Sequence, residues 1–420
     1  MRTQTILGLA CGAMLLSVAV NAADWPGWRG PGRNAVSSET GLLKEWPKQG
    51  PRLVWQAKDI GDGYGSPAVA GSRVYVLGNR GLDNEFVQAL AAADGKPLWT
   101  TRLGKVGNPD QMPSFPTVRS TPTVDGGLLY ALGSDGDLAC LDTASGAIRW
   151  RKSLRADFGG VPGKFAYAES PLVDGETLVV TPGGAQATIV ALNKKTGETI
   201  WKSAVPGGDD AAYASAIVVE AGGRRQYVQF VGKGLVGVDA GTGEFLWRYD
   251  TTGKGEMNMG TPVASGACVY TWQNRGPSAL IRLAAAGRGV AAEQVFLLRG
   301  LPGSIGGSVV LGATHYGTTG EGLVAADWLT GKVLWQEAST GGGAILAAEN
   351  RLYIHGEDGS AMLVEATPEA YREKGRFMPP DRPKRTREAA EKAWTSPAVA
   401  GGRLYLRELG SLWCYDVGGK

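Results

Sequence analysis

Histidine and cysteine are scarce in this chain, with two and four among 420 residues. Two histidines cannot furnish a His-rich metal centre, and no HExxH pair exists. The cysteines, at 11, 140, 268 and 414, form no CxxC, no CxxCH and no adjacent pair. Zinc-ribbon, c-type haem and dithiol redox chemistry therefore lack their ligands. Charge of one sign is missing too: 43 basic residues face 40 acidic ones, a formal net charge of +3, so there is no nucleic-acid footprint. No Walker loop and no GxSxG elbow occur. After the first 22 residues no apolar run is long enough to span a bilayer.

That first stretch has the layout of an export signal. Arg2 is a minimal basic region, 6–20 is uncharged and apolar, and Val20-Asn21-Ala22 offers small residues for cleavage. Cys11 lies inside the apolar stretch, too early for a lipid anchor. The expected location is periplasmic or secreted. Cys140, Cys268 and Cys414 then remain, an odd and scattered set that argues against a disulfide framework. Cys140 and Cys414 sit in similar strand contexts, DLACLD and SLWCYD, and are expected as small buried apolar side chains.

What the chain has in excess is glycine: 64 of 420, about 15% against an average of about 7%. With 43% apolar residues, 13 Trp and 13 Tyr, this is a turn-rich, core-forming chain. The glycines repeat. ADGKPLW, ASGAIRW, KTGETIW, GTGEFLW and LTGKVLW end at Trp99, Trp150, Trp201, Trp247 and Trp335, each with Gly four residues earlier. Weaker copies end at Phe296 and Phe377, and an isolated LVW ends at Trp55. A period in the forties is that of propeller repeats. The repeated Trp is expected to cover the Gly of its own repeat and to pack between neighbours.

Each repeat opens with a small-residue strand such as YGSPAVAG, RSTPTVDG or MGTPVASG, then a strand such as RVYVLG, a polar turn, a third strand and the Trp-ended fourth. Alternating apolar residues punctuated by Gly, Asp and Ser read as all-β, with four antiparallel strands per blade. Inner strands begin near 65, 120, 169, 214, 259, 305, 342 and 395, predicting an eight-bladed β-propeller. The last repeat lacks a fourth strand and LVWQAK at 53–58 is an orphan fourth strand, so the termini should pair and close the ring. The expected layout is a signal peptide at 1–22, an extension packing on the propeller at 23–52, and one propeller domain at 53–418 with an insertion at 364–394 in blade 7.

The alternation of S/T-P-x-V-x-G with D-x-x-T-G-x-x-x-W resembles the pyrroloquinoline-quinone (PQQ)-like β-propeller repeat, shared by quinoprotein alcohol dehydrogenases and BamB-like envelope proteins. DWPGWRGPGRN at 24–34 with GLLKEWP at 41–47 resembles exported propellers of this superfamily. The resemblance covers about 24–418. Quinoprotein dehydrogenases of the family stack their quinone between a Trp and a ring made by two adjacent disulfide-bonded cysteines, bind calcium through Glu and Asn or Asp, and use an Asp base. Adjacent cysteines are missing here, and the calcium ligands and base find no matching motif.

Gly232-Lys-Gly-Leu-Val-Gly237 is a formal GxGxxG, but strand and turn follow it rather than a helix, so a hairpin is expected. Asp135-Gly136-Asp137 is half a calcium loop and reads as a turn. Thr367-Pro368 predicts a short helix through Lys374. After it, Arg382, Lys384, Arg385 and Arg387 form a solvated basic loop, with a patch for an acidic partner as the alternative. Residues just before the S/T-P step should reach one mouth of the axial channel: Tyr64, Arg119, Glu169, Tyr213, Asn258 and Trp394, with His315 as a further polar group. They form either a ligand site or a structural filling in which Arg119 and Glu169 pair. The expected function is a non-catalytic, monomeric envelope scaffold, with no metal or cofactor, that binds a protein, peptide or glycan at this mouth. The alternative is a PQQ- and calcium-dependent dehydrogenase oxidising an alcohol or sugar. There Arg119 would touch the quinone, Glu169 or Asn258 the calcium, and Trp394 would stack.

Overall fold

The computed structural model describes residues 23–419 apart from 111–115, 254–256, 275, 288 and 384–391. The expected export signal and Cys11 lie outside the described residues, as do Lys384, Arg385 and Arg387. Eight antiparallel sheets succeed one another along the chain, as the repeat predicts. Blades 1 to 7 span 68–104, 123–153, 172–203, 217–249, 263–298, 308–337 and 343–377. Blade 8 takes three strands from 398–416 and its fourth from Arg52–Ala57, which pairs Trp55 with Cys414 and Ala57 with Leu412. The ring is closed by its own terminus, which gives blade 8 its four strands.

The core lies between blades rather than within one. Val228 and Phe230 of blade 4 pack with Val269 and Ile281 of blade 5, all of them buried. Middle strands are therefore covered on both faces, and runs such as RVYVLGN and CVYTW are buried almost throughout. Cys140, Cys268 and Cys414 are free, buried members of three different blades.

The S/T-P step stands just ahead of the inner strand, which begins at residues such as Ala68, Thr123 and Leu172. Its hydroxyl has a specific task. The Ser66 amide donates to Thr121 Oγ1, Thr121 to Ser170 Oγ, Ser170 to Ser215 Oγ and Ser215 to Thr261 Oγ1, at 2.9–3.2 Å. A belt of hydroxyls thus stitches five blades together around the axis.

The repeated Trp behaves differently from expectation. In every outer strand the residue before the Trp position is skipped by the ladder, a bulge that turns the next side chain across the blade gap. In four blades the ring covers the Gly of the following repeat, not its own: Trp55 lies over Gly95, Trp99 over Gly146, Trp150 over Gly197 and Trp201 over Gly243, whereas Trp247 lies against Gly237 of its own blade. These indoles also donate to carbonyls of the following blade, as Trp99 does to Thr143 at 3.1 Å. Blade 7 departs from the pattern. Its Trp position is Gly375, paired with Leu363, while Phe377 covers Gly50 and Trp46 of the extension packs against Phe377 at 5.3 Å.

Gly146 has φ +71°, and a Cβ there would lie 2.5 Å from the Trp99 ring, whereas Gly126, φ +56°, has open space. Left-handed strain alone costs about 1–2 kcal/mol. Gly126→Ala should show only that. Gly146→Ala should lose about 4 kcal/mol, because a half-buried indole packed on it must also move. Chemical denaturation of the two variants checks the contrast.

The predicted helix over 367–374 does not form. Glu373–Phe377 is the fourth strand of blade 7, and sheet completion outweighs the local Thr-Pro start signal. A helix occurs instead at Leu154–Phe158. Ser153 caps it by accepting from the Ala156 amide, and Gly159 ends it at φ 64°. The 232–237 motif is a hairpin turn after Arg224–Phe230 and the start of the strand Leu235–Asp239, and Asp135-Gly136 is a turn that leads into the strand Asp137–Asp142.

Candidate functional site

Inner strands all start at one end of the axial channel and finish in tight turns at the other. The two ends are built differently. At the starting end, Trp394 of blade 8 packs against Tyr64 of blade 1, ring centroids 5.4 Å apart. The Arg119 guanidinium lies over Tyr64 at 5.5 Å and over Phe165 at 5.8 Å. Phe165 packs on Tyr213 at 5.6 Å, and the Tyr213 amide donates to the Asn258 carbonyl at 3.2 Å. Five of the six expected residues are thus joined in one arc from blade 8 to blade 5.

Arg119 donates to the carbonyls of Thr117 at 2.8 Å and Phe165 at 3.4 Å. Burial lowers its pKa to about 10, so the guanidinium stays charged at neutral pH. Asn258 spends its amide on the Val231 and Gly232 carbonyls, which clamps the loop at 231–232. Trp394 Nε1 is buried and finds no acceptor among the described residues.

Glu169 is not in the arc, and it does not pair with Arg119. Its carboxylate accepts from the Thr181 amide and from Gln229 Nε2, between blades 3 and 4. Counted from the S/T of each repeat, Tyr64, Arg119, Tyr213 and Trp394 stand two residues before it, and Glu169 only one. In extended chain a slip of one residue reverses the side chain, so Glu169 turns into the blade where Ala168 marks the arc position. Burial raises its pKa to about 7. His315 is also elsewhere, buried between blades 5 and 6 on Ser308 Oγ at 2.7 Å and against Tyr270 at 4.4 Å. Burial, then Arg29, lowers its pKa to about 3, so it is neutral. Arg382 is not a free cation either, since it holds the buried Glu408 carboxylate at 2.9 and 3.0 Å.

Two groups escaped the sequence reading. Phe165 comes from the lead-in loop of blade 3 and has no repeated position to mark it. The other is the place of the segment 24–37: it was expected only as part of an extension packing on the propeller, and it closes the opposite end. Trp25 bridges to Val69, and the Val124 amide donates to the Pro26 carbonyl at 2.7 Å. Trp28 donates to Thr261 Oγ1 at 2.9 Å, Arg29 to the Ser308 carbonyl, and Arg33 to those of Ser170 and Pro171 at 2.8 and 2.9 Å. Val36–Ser37 adds a parallel strand to blade 7 at Ala347 and Ala348, and Ser37 Oγ donates to the Val399 carbonyl. The segment bonds to inner strands or their lead-ins in every blade but the fourth, and is a plug. Its glycines allow close passage: a Cβ on Gly30, φ +77°, would lie 2.7 Å from the Trp25 ring.

A quinone clamp does not fit these residues. No two cysteines share a blade, so no vicinal disulfide ring can form, and the aromatic faces of the arc already pack on one another and on Arg119. Among the described residues no three His, Cys, Asp or Glu side chains converge as a metal site.

Fold and repeat together define a PQQ-like β-propeller of the BamB-like kind. The chain belongs to the family described as outer membrane protein assembly factor BamB, whose model matches residues 26–108 and 83–319. Outer membrane protein assembly factor BamB of Salmonella typhimurium (strain LT2) is 30% identical over 141 residues, 33% of this chain and 31% of the relative. That of Escherichia coli (strain K12) is 28% identical over 123 residues, 29% and 28% respectively. The chain thus matches about a third of the length of these curated relatives. In fold it is similar to BamB from Moraxella catarrhalis, TM-score 0.57 at 16% identity over 87% of this chain and 97% of the other. It is also similar to a quinohemoprotein alcohol dehydrogenase from Pseudomonas putida HK5, TM-score 0.53 at 15% identity over 95% and 81%.

Proposed function

We propose that the protein is an exported, non-catalytic propeller of the cell envelope that holds a protein, peptide or glycan at the channel mouth formed by Trp394, Tyr64, Arg119 and Tyr213. The observation that carries this reading is the asymmetry of the channel. One end is filled by the chain's own plug, while the other gathers aromatic rings around a charged guanidinium and holds Trp394 Nε1 as a buried donor with no acceptor among the described residues. Aromatic and Arg side chains are the groups that dominate binding hot spots. The matches to BamB proteins agree with an envelope scaffold, and removal of 1–22 on export follows from the same reading. The quinoprotein alternative draws on the fold alone.

Titration of the full chain with pyrroloquinoline quinone and Ca²⁺, followed by absorbance and by dye reduction with alcohols and sugars, separates the two readings. No saturable quinone signal is expected, and stoichiometric quinone binding would overturn the non-catalytic reading. A photo-reactive side chain at Tyr213 should crosslink a discrete envelope partner, whereas one at the outer-strand residue Ile200 should not. Arg119→Ala should reduce that crosslink at least tenfold, and an undiminished yield would remove Arg119 from the site.

A further inference from the structure

The plug carries two guanidinium groups into the channel and brings no carboxylate of its own to meet them. Arg29 and Arg33 are 3% and 8% exposed. Every acceptor they reach is a backbone carbonyl: Arg33, Asn34 and Ser308 for Arg29, Ser170 and Pro171 for Arg33. Arg33 Nε is buried with no acceptor among the described residues. A carbonyl satisfies an N–H but cancels no charge, and a buried cation without a counter-charge is costly. The two also repel: burial first, then Arg33, lowers the pKa of Arg29 to about 10. Both remain cations at neutral pH. The carboxylate that acts on Arg33 is Glu169, which is itself held by Thr181 and Gln229. His315, beside Arg29, is neutral. The local balance at neutral pH is therefore two positive charges against at most one negative charge that is committed elsewhere.

We infer that a small monovalent anion binds inside the channel between Arg29 and Arg33, accepting from Arg33 Nε, and acts as the internal counter-ion of the plug. The chemistry required is compact, singly charged and able to accept N–H donors, as in a halide or a short carboxylate. A dianion would over-neutralise the site once Glu169 is ionised. The inference is independent of what the opposite mouth binds, because it rests on groups at the plugged end.

The test uses the full chain at fixed ionic strength, exchanging sodium gluconate, too bulky for the site, for sodium bromide or sodium acetate. Binding to the native state alone should raise the melting temperature along a saturating curve, by about 2–3 °C at a hundredfold excess over Kd. Bromide-soaked crystals should show anomalous density between the two guanidinium groups. A response to acetate but not to bromide would identify a carboxylate as the natural occupant. Arg33→Met should abolish the saturating component. Glu169→Gln, which removes the competing negative charge, should lower the half-saturating bromide concentration about fivefold, and it keeps the idea testable if Arg33→Met fails to fold. A melting temperature that follows ionic strength whatever the anion, or a saturating response to neither bromide nor acetate, overturns the proposal.

Discussion

Replacing residues 24–37 with a Gly/Ser segment of equal length should lower the melting temperature by about 8 °C while leaving the eight sheets formed. The magnitude follows from what the segment buries. Trp25 is 1% exposed, and loss of one such indole costs about 3–5 kcal/mol. The Trp25–Val69 and Val36–Ala347 pairings and the Arg33 bonds to Ser170 and Pro171 go with it, at about 1 kcal/mol each. Against that, ordering a flexible segment is no longer required, which returns part of the entropy. A net loss of about 6–7 kcal/mol, with an unfolding entropy of about 0.8 kcal/mol per degree for a chain of this size, gives the stated shift. Calorimetry measures it, and circular dichroism checks that the sheets persist. A shift below about 1 °C would mean that the plug merely lies on a ring that is complete without it. Hydrogen exchange gives the same comparison locally: the inner strands of blades 1, 2 and 3 should lose protection first, since Val69, Val124 and Ser170 are partners of the segment.

This architecture was readable in the sequence to the extent that it repeats. Gly95, Gly146, Gly197, Gly243 and Gly331 each precede a Trp by four residues, and inner-strand starts can be counted, so eight blades and the borrowed strand at Trp55 follow from spacing. What does not repeat was hidden. The plug contacts six of its seven blades through main-chain groups, which leave no mark on the residues they come from, and blade 5 through the Thr261 hydroxyl. Phe165 sits in an irregular loop. Four of the Trp rings cover the next Gly rather than their own because a bulge, invisible in a periodic pattern, redirects each of these side chains. The mouth was half legible for a related reason. Alternation places Tyr64, Arg119, Tyr213 and Trp394 together, and the same alternation, one residue out of step, sends Glu169 into the blade wall. The strand Glu373–Phe377 was misread because its local helix-start residues are overruled by the edge of a sheet that needs them.

Glu85 leads to the second large effect. It is fully buried at the start of the third strand of blade 1, and its carboxyl accepts from the Ser134 amide and from Ser134 Oγ, both at 2.8 Å. Burial raises its pKa from an ordinary 4.5 to about 8; the bonds from Ser134 oppose that rise, and Asp137 and Asp135 add to it. The folded chain thus holds a proton that the unfolded chain releases near pH 4.5. The stability this provides is fully present below about pH 4.5 and is lost as pH rises through about 8, amounting to about 4 kcal/mol across the window. Glu85→Gln keeps the shape, still accepts from the Ser134 amide and carries no charge to desolvate. The variant and the parent should therefore melt together near pH 4.5, and by pH 8.5 the variant should melt about 5 °C higher. Glu169, raised to about 7 by its own burial, titrates in both proteins and cancels from the difference. Equal melting temperatures at both ends of the range would mean that Glu85 is ionised throughout. The consequence reaches the channel mouth. Arg119 feels the Glu85 charge among its surroundings, so ionisation of Glu85 adds a negative charge behind the guanidinium and weakens its pull on an acidic partner. A partner held by Arg119 should accordingly bind more tightly at pH 6 than at pH 8.5 in the parent, and with a flatter pH dependence in Glu85→Gln.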